Sequence, residues 1–227
     1  LHLLTAGQMR LRIPPSIGMT LNAPCIIVCR SDTAHSLDAI SVNAFQHLMC
    51  AKAYLDGPVA LLLLNEFKQP QAVSLDSADS VLSHVINLIS AELTAPRCGQ
   101  PALLDRAGDI LFIGLLRHLI AHPKTSGGLL SGLADPRIAR ALVAIHASPQ
   151  GKWTLESLAE EAGMSRTSFA NTFREVMNQP PGQYLTKIRL SIARRAVLSG
   201  KGLKAAAKDS GYTNSSALSR ALARKAA

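Results

Sequence analysis

The sequence predicts an α+β protein with two domains, the first rich in β-strands with flanking helices and the second entirely helical. Strand-like apolar runs are confined to residues 1–75, and helical periodicity dominates from there on. Charge divides the chain in a similar way. Residues 1–134 carry nine basic and nine acidic side chains, whereas residues 135–227 carry 15 basic and 6 acidic ones, a net charge of +9. A neutral domain joined to a strongly basic one indicates contact with a polyanion such as nucleic acid.

The first 75 residues contain short apolar runs separated by turn residues, a pattern typical of strands. Pro14, Pro15 and Gly18 separate the first two runs. We therefore predict strands at residues 9–13, 25–29, 48–54 and 59–64.

Two helices are predicted next, near residues 79–94 and 102–122, because apolar side chains recur there at helical spacing. The apolar stripe of the second helix is wide enough to cover two faces. Its own sheet could cover one face and a partner subunit the other. The sequence is thus compatible with a homodimer that forms through the helices near 79–94 and 102–122.

The boundary between the domains is marked by residues that break and restart helices. Pro123 ends the preceding helix, and residues 123–134 contain enough glycine and serine to predict a flexible linker. Asp135 followed by Pro136 is typical of a helix start, with a capping carboxylate before a proline at the first helical position. We therefore predict domains at 1–122 and 135–227, with a linker at 123–134.

One pattern occurs twice in the basic domain, at an offset of 48 residues. In each copy an alanine, Ala159 or Ala207, precedes a glycine, Gly163 or Gly211, by four residues. A small side chain lets two helices cross closely, and glycine adopts the positive φ that a tight turn needs. This spacing predicts a helix, a tight turn and a second helix in each copy.

The second helix of each copy has its own cap and its own buried face. We expect Ser165 to cap the first of these helices, and Thr213 or Asn214 the second. Apolar pairs four residues apart anchor each helix and leave the opposite face polar. These pairs are Phe169 with Phe173 and Leu218 with Leu222. The duplication predicts two helix-turn-helix units, and the alternative is a plain helical bundle.

A long helix over residues 181–199 is predicted to join the two units. Its 19 residues would span about 28 Å, and successive major grooves on one face of B-DNA recur every 34–36 Å or so. Such a connector could place two helices in adjacent grooves. We expect Arg189, Arg194, Arg195 and Lys201 to lie near phosphates.

The basic domain resembles the AraC/XylS family of bacterial transcription regulators over about 90 residues. The matching segments are 153–165 (WTLESLAEEAGMS), 169–174 (FANTFR), 181–185 (PGQYL), 188–196 (IRLSIARRA), 207–212 (AKDSGY) and 219–220. The resemblance implies binding to double-stranded promoter DNA and assistance to RNA polymerase, most often as an activator. Leu222 departs from the pattern, since the family favours phenylalanine there.

The resemblance also implies which residues face DNA. The first recognition helix would expose Arg166, Thr167, Ala170, Asn171 and Arg174. The second would expose Asn214, Ser215, Ser216, Ser219 and Arg220. Asn171 could make a bidentate contact with adenine, and the arginines could contact guanine or phosphate.

The N-terminal half resembles, at residues 21–35 (LNAPCIIVCRSDTAH), the cupin-like sensor domain found in a branch of this family. The resemblance implies a small β-barrel with flanking helices that responds to an unknown small-molecule effector or an oxidant. We expect this domain to be incomplete at its N-terminus, because earlier strands are missing.

Four side chains in this half are candidates for a redox or effector role: Cys25, Cys29, Cys50 and His35. Cys25 and Cys29 would lie about 13 Å apart along one strand, too far for a disulfide, which needs Cα atoms within about 7 Å. Either could pair with Cys50 across the sheet. The alternative is that these cysteines are small buried apolar residues. Reduced thiols are typical of a cytoplasmic protein.

A metal site is not predicted. His35 has no neighbour in a His-x-His pair, and we interpret His2 and His47 as poor substitutes. The cysteines lack zinc-finger spacing. We therefore predict no metal and no cofactor.

Two other functional classes are alternatives. A cupin-type enzyme with a basic appendage lacks paired catalytic carboxylates, a nucleophile motif and a metal-ligand set, so we predict that the chain is not an enzyme. A nonspecific nucleic-acid-binding protein would leave the repeated turn unexplained. No run of 18 apolar residues occurs, so no membrane span is predicted.

Overall fold

The computed structural model describes residues 1–15, 18–41, 44–75, 80–123 and 127–224. The chain forms two compact units. The first unit comprises Leu1–Tyr54 and Leu64–His122, and the second comprises Leu55–Leu63 and Pro123–Ala227.

The first unit contains two antiparallel sheets. The strands are β1 His2–Ala6, β2 Gln8–Arg12, β3 Met19–Asn22, β4 Cys25–Val28, β5 Ser36–Ala39, β6 His47–Cys50 and β7 Gln71–Ser74. One sheet has the strand order β6-β1-β4-β7 and the other the order β3-β2-β5.

The core of the first unit draws on both sheets. Strand β2 alternates, with Met9 and Leu11 buried between exposed polar neighbours, as expected for a strand with one face on the core. Strand β4 is buried at all four positions. Its Cys25 and Ile27 join Met9 and Leu11 in one apolar cluster. The predicted mixed α+β architecture is confirmed.

A helix occupies a segment for which we predicted a strand. We predicted a strand at residues 59–64, but residues 60–64 lie in helix α1, Ala60–Glu66, so that prediction was wrong. A short apolar run does not by itself distinguish a buried strand from a buried helical turn. Val59, Leu62 and Leu63 pack against the main core of the second unit, although our sequence-based limits place them in the N-terminal domain.

Two helices complete the first unit, α2 Ser80–Thr94 and α3 Gln100–Ala121. They pack against each other, and Gly114 allows their close approach, because a Cβ there would lie 2.8 Å from Cδ2 of Leu82. Both helices were predicted from their apolar periodicity. No helix of the described residues is long and apolar enough to cross a membrane.

The second unit is helical. Its helices are α4 Leu129–Ala134, α5 Pro136–Ala147, α6 Leu155–Ala162, α7 Arg166–Met177, α8 Pro181–Leu198, α9 Leu203–Asp209 and α10 Ser215–Ala223. The long helix α8 takes part in two cores. Its Tyr184, Leu185 and Ile188 join the larger cluster with α5, α6 and α7. Its Leu190, Ala193 and Ala196 join the smaller cluster with α9 and α10.

The predicted linker is only partly without secondary structure. Residues 124–126 lie outside the described residues, but residues 129–134 form helix α4, with Leu129 and Leu130 buried. The expectation of a flexible segment up to residue 134 was therefore wrong. Burial of two leucines stabilises the helix by several kcal/mol at roughly 1.5–3 kcal/mol per side chain, which outweighs the preference of the local glycines for loops.

The helix caps follow the sequence closely. Asp135 accepts hydrogen bonds from the backbone N–H groups of Arg137 and Ile138, and Ser165 accepts one from Ser168. Of the two alternatives for the last helix, the cap is Asn214, whose Oδ1 accepts from the Ala217 N–H at 2.8 Å.

Both turn glycines have the positive φ that the repeat predicted, 64° at Gly163 and 74° at Gly211. Gly211 also meets a second constraint. A Cβ at this position would lie 2.7 Å from Cα of Gln150, in the loop between α5 and α6. Glycine is therefore required both by the backbone conformation and by the contact.

Gly211→Ala should lower the free energy of unfolding by about 1–3 kcal/mol, the usual cost of a strained backbone, because the new methyl group would also collide with the Gln150 backbone. Gly182→Ala on α8 is the matched control, since nothing lies within 4 Å of the position of its Cβ. Urea unfolding followed by circular dichroism measures both. Equal midpoints for the two variants would contradict this account.

Candidate nucleic-acid interface

The first helix-turn-helix is formed by α6 and α7. Ala159 is buried at the contact between the helices, and Phe169 and Phe173 are fully buried behind α7. The side chain of Thr154 caps α6. These residues fix α7 from its inner side, so its opposite side is available for contact with a partner.

The outer side of α7 carries the five side chains that we predicted to face DNA. Arg166, Thr167, Asn171 and Arg174 are exposed, and Ala170 is half-buried at the edge of the same face. Their spacing places them together on one side of the helix. The structure thus brings these five positions onto one continuous surface.

The second unit of the repeat is formed by α9 and α10. Ala207 and Leu218 are buried at its centre. Ser216, Ser219 and Arg220 are exposed on the outer side of α10, and Ser215 is half-buried. Asn214 is exposed, but its Oδ1 is occupied by the helix cap, which leaves its amide nitrogen for other contacts.

Three of the predicted cations form ion pairs. Arg166 lies 3.0 Å from Glu156, and Nζ of Lys201 lies 2.6 Å from Asp209. Arg195 pairs with Asp56. The N–H of Gly57 and the guanidinium of Arg195 lower the pKa of the Asp56 carboxyl below its usual range.

Three more of the predicted cations are unpaired within the described ranges. The side chains of Arg174, Arg194 and Arg220 make no ion pair or side-chain hydrogen bond to any described residue, and all three are exposed. They can bind an anion without first breaking an internal contact.

Arg189 makes two hydrogen bonds within the helical unit that the sequence did not predict. Its Nε donates to the carbonyl of Pro149 at 2.9 Å, and its Nη2 donates to the carbonyl of Gly151 at 2.7 Å. The expectation that Arg189 lies near phosphates stays a prediction, and these two donors are already used within the protein. Burial of this side chain lowers its pKa. Arg189 connects α8 to the loop that contacts Gly211.

A groove between α8 and α10 lies beside these cations. Its volume is about 500 Å³, and Arg189, Arg220 and Arg224 line it. The Tyr212 hydroxyl, also at this groove, is buried with no hydrogen-bond partner among the described residues. Arg224 was not among the predicted DNA-facing residues, although its position four residues after Arg220 places both on one face of the helix.

The cysteines of the first unit form no disulfide among the described residues. Cys25 is buried in the apolar core, Cys29 is half-buried and Cys50 is exposed. Strand β1 lies between β4 and β6. Cys25 and Cys50 therefore lie on strands that are not neighbours.

His2 and His35 lie together, so our interpretation of His2 as a poor companion for His35 was wrong. The two Nε2 atoms are 2.8 Å apart, and His2 lies on β1 opposite Ile27 of β4. Burial lowers the pKa of the His2 imidazole, which favours its neutral form. His47 points elsewhere, with its Nδ1 2.7 Å from Oγ1 of Thr5.

Comparisons with known proteins agree with the architecture. The cupin family matches residues 1–121, and a helix-turn-helix domain family matches residues 158–227. The class of protein is thus a helix-turn-helix regulator with a cupin domain. The chain belongs to the AraC-type family of transcriptional regulators.

Relatives of this chain include regulators from several bacteria. An AraC-like transcription regulator of Streptomyces lividans is 36% identical over 141 residues, which cover 61% of this chain and 46% of that protein. An uncharacterized HTH-type transcriptional regulator of Haemophilus influenzae is 34% identical over 55% of this chain and 42% of its own length. The chain thus spans less than half the length of these two relatives.

One relative is similar over the whole chain. The RCS-specific HTH-type transcriptional activator RclR of Escherichia coli is 29% identical over 99% of this chain and 80% of its own length. Among solved structures, fatty-acid-bound ToxT of Vibrio cholerae aligns with 98% of this chain and 81% of its own, at 13% identity and a TM-score of 0.42.

Glu156→Gln should strengthen binding to any DNA duplex by a few-fold, because it removes the carboxylate that neutralises Arg166. Arg166 would then contact about one more phosphate, and the affinity would fall more steeply with salt concentration. The matched control is Glu160→Gln, which removes an exposed carboxylate of the same helix. Fluorescence anisotropy at three salt concentrations measures both. If the control gains as much affinity as Glu156→Gln, the ion pair does not restrain Arg166.

Proposed function

We propose that this protein regulates transcription by binding specific promoter sequences through both helix-turn-helix units. The observation that carries the proposal is the duplication itself. Two capped helices, α7 and α10, each present a polar outer face and are each anchored on one shared helix, α8. A domain with a net charge of +9 suits a polyanion, and the repeated polar faces suit the reading of base edges.

The proposed DNA contacts divide into two groups. Base-edge contacts come from α7 and α10, with Asn171 suited to adenine and Arg174 or Arg220 suited to guanine. Phosphate contacts come from the connector and the turns. The complete proposed set is Arg166, Thr167, Ala170, Asn171, Arg174, Asn214, Ser215, Ser216, Ser219, Arg220, Arg194, Arg195 and Lys201.

The length of α8 supports simultaneous binding to two grooves. Its 18 residues span about 27 Å at 1.5 Å per residue, and α7 and α10 pack on its first and second halves. Successive major grooves on one face of DNA lie about 34–36 Å apart. We therefore assign one recognition helix to each of two adjacent major grooves.

An N-terminal domain at 1–122 is proposed to receive the signal, and residues 123–134 join it to the DNA-binding domain at 135–227. The signal would be a small molecule or an oxidant. The RclR relative is named an activator, and this supports activation with assistance to RNA polymerase. Since promoter DNA lies in the bacterial cytoplasm, the protein would act there. An enzymatic role is not proposed, because the relatives are named regulators.

Helices α2 and α3 are proposed to form a homodimer interface. Leu88, Ile110 and Ile113 are 42%, 47% and 51% exposed on these helices. A row of exposed apolar side chains on a helical pair is typical of an interaction surface.

The decisive test compares duplexes at fixed salt. A selected genomic site should bind roughly 10³-fold or more tightly than random duplex of the same length. A nonspecific binder would show a steep salt dependence without that preference, and this outcome would contradict the proposal.

Asn171→Ala should lower the discrimination between the selected site and random duplex by about 1–3 kcal/mol, because one bidentate base contact is lost. Lys201→Ala should instead weaken binding to all duplexes alike, since a phosphate contact carries no sequence information. Competition binding measures both. Equal losses on selected and random DNA for Asn171→Ala would remove it from the base-reading set.

Ile113→Glu should convert the protein from dimer to monomer in sedimentation equilibrium, because a buried carboxylate at the interface would lack a partner. The matched control is Val143→Glu, at an exposed apolar position of α5 in the second unit. A wild-type protein that is monomeric at all accessible concentrations would exclude the dimer.

A further inference from the structure

Three side chains from separate segments of the first unit bring their metal-binding atoms together. His2 lies on β1, Cys29 follows β4 directly and His35 directly precedes β5. One donor atom of each lies within 4.8 Å of the others, and all three residues are half-buried. The segments come from both sheets, since β1 and β4 belong to one and β5 to the other.

The distances are close to those of a tetrahedral metal site. Zinc bound at about 2.0–2.1 Å from nitrogen and about 2.3 Å from sulfur separates adjacent donor atoms by about 3.3–3.6 Å. Sγ of Cys29 lies 3.5 Å from Nε2 of His35. The two Nε2 atoms are 2.8 Å apart, so the imidazoles need to separate by only about half an ångström.

The orientation of both imidazoles suits metal binding. Nδ1 of His35 lies 2.8 Å from the carbonyl oxygen of Thr33. A carbonyl only accepts hydrogen bonds, so Nδ1 carries the proton and the lone pair of Nε2 faces the cluster. Nδ1 of His2 lies 3.0 Å from Sγ of Cys50. Metal-bound histidines are typically held in this way, by a partner on the nitrogen that does not face the metal.

The donor set selects the class of metal. Two imidazole nitrogens and one thiolate suit zinc and other borderline or soft cations, whereas magnesium and calcium prefer carboxylate oxygen. The nearby carboxylate of Asp32 is exposed and paired with Arg30.

We propose that His2, Cys29 and His35 form a Zn²⁺ site with a fourth position open to water or to a donor atom of a ligand. Cys50 is a positioning residue that orients His2 through Nδ1. A bound ion would link the two sheets at one point, so occupancy would stabilise the first unit. The site does not depend on the proposed DNA-binding function.

Titration of the reduced, chelator-treated full chain with Co²⁺ and then Zn²⁺ tests the proposal. We expect one Co²⁺ per chain, with visible bands of tetrahedral cobalt and a thiolate-to-cobalt charge-transfer band in the near ultraviolet. Zn²⁺ should displace it and raise the Tm. Cys29→Ser should abolish the charge-transfer band, and His35→Ala should weaken Zn²⁺ binding by 100-fold or more. Cys50→Ser should keep the band.

Two matched controls separate this site from adventitious binding. His122→Ala disrupts the His118–His122 pair of α3, whose rings lie 4.6 Å apart and could hold zinc on the surface. Cys98→Ser removes an exposed thiol of the same unit. Both should bind as the wild type does, and circular dichroism verifies that each variant is folded. Unchanged Zn²⁺ affinity in the folded Cys29→Ser and His35→Ala variants would overturn the proposal, as would loss of the site in His122→Ala.

Discussion

The sharing of one helix between two apolar cores is the constraint on which the DNA-binding unit depends. Helix α8 contributes its first half to the core behind α7 and its second half to the core behind α10. Neither recognition helix can therefore move against α8 without opening a core. A rigid relation between two reading helices is what recognition of two grooves requires, since each adjustment on binding would cost affinity.

A second set of contacts reinforces this relation. Arg189 of α8 holds the carbonyls of Pro149 and Gly151, and the same loop lies against Gly211 in the second turn. The turn of the second helix-turn-helix is thus packed on the loop that precedes the first helix-turn-helix. Arginine suits this task better than lysine, because its planar group donates to two carbonyls at once.

Local features were predictable from the sequence, and features that depend on distant pairing were not. The turn glycines, the caps at Asp135 and Ser165 and the long connector all follow from side chains within a few residues of each other. The helix at 60–66 was missed because the periodicity of a short apolar run does not distinguish a helix from a strand. The contacts of His2 and Arg189 join side chains to residues that are 33 and 38–40 positions away along the chain. No local sequence pattern predicts contacts at such separations. The ion pairs of the exposed side chains could not be predicted from the sequence either.

The most direct measurement of the central claim is a hydroxyl-radical footprint of the full chain on a selected DNA site. A rigid pair of reading helices predicts two protected windows on each strand, centred about 10–10.5 base pairs apart on one face of the duplex. Substitutions in α7 and α10 should each open only their own window. A single window, or protection spread evenly along the duplex, would contradict the account.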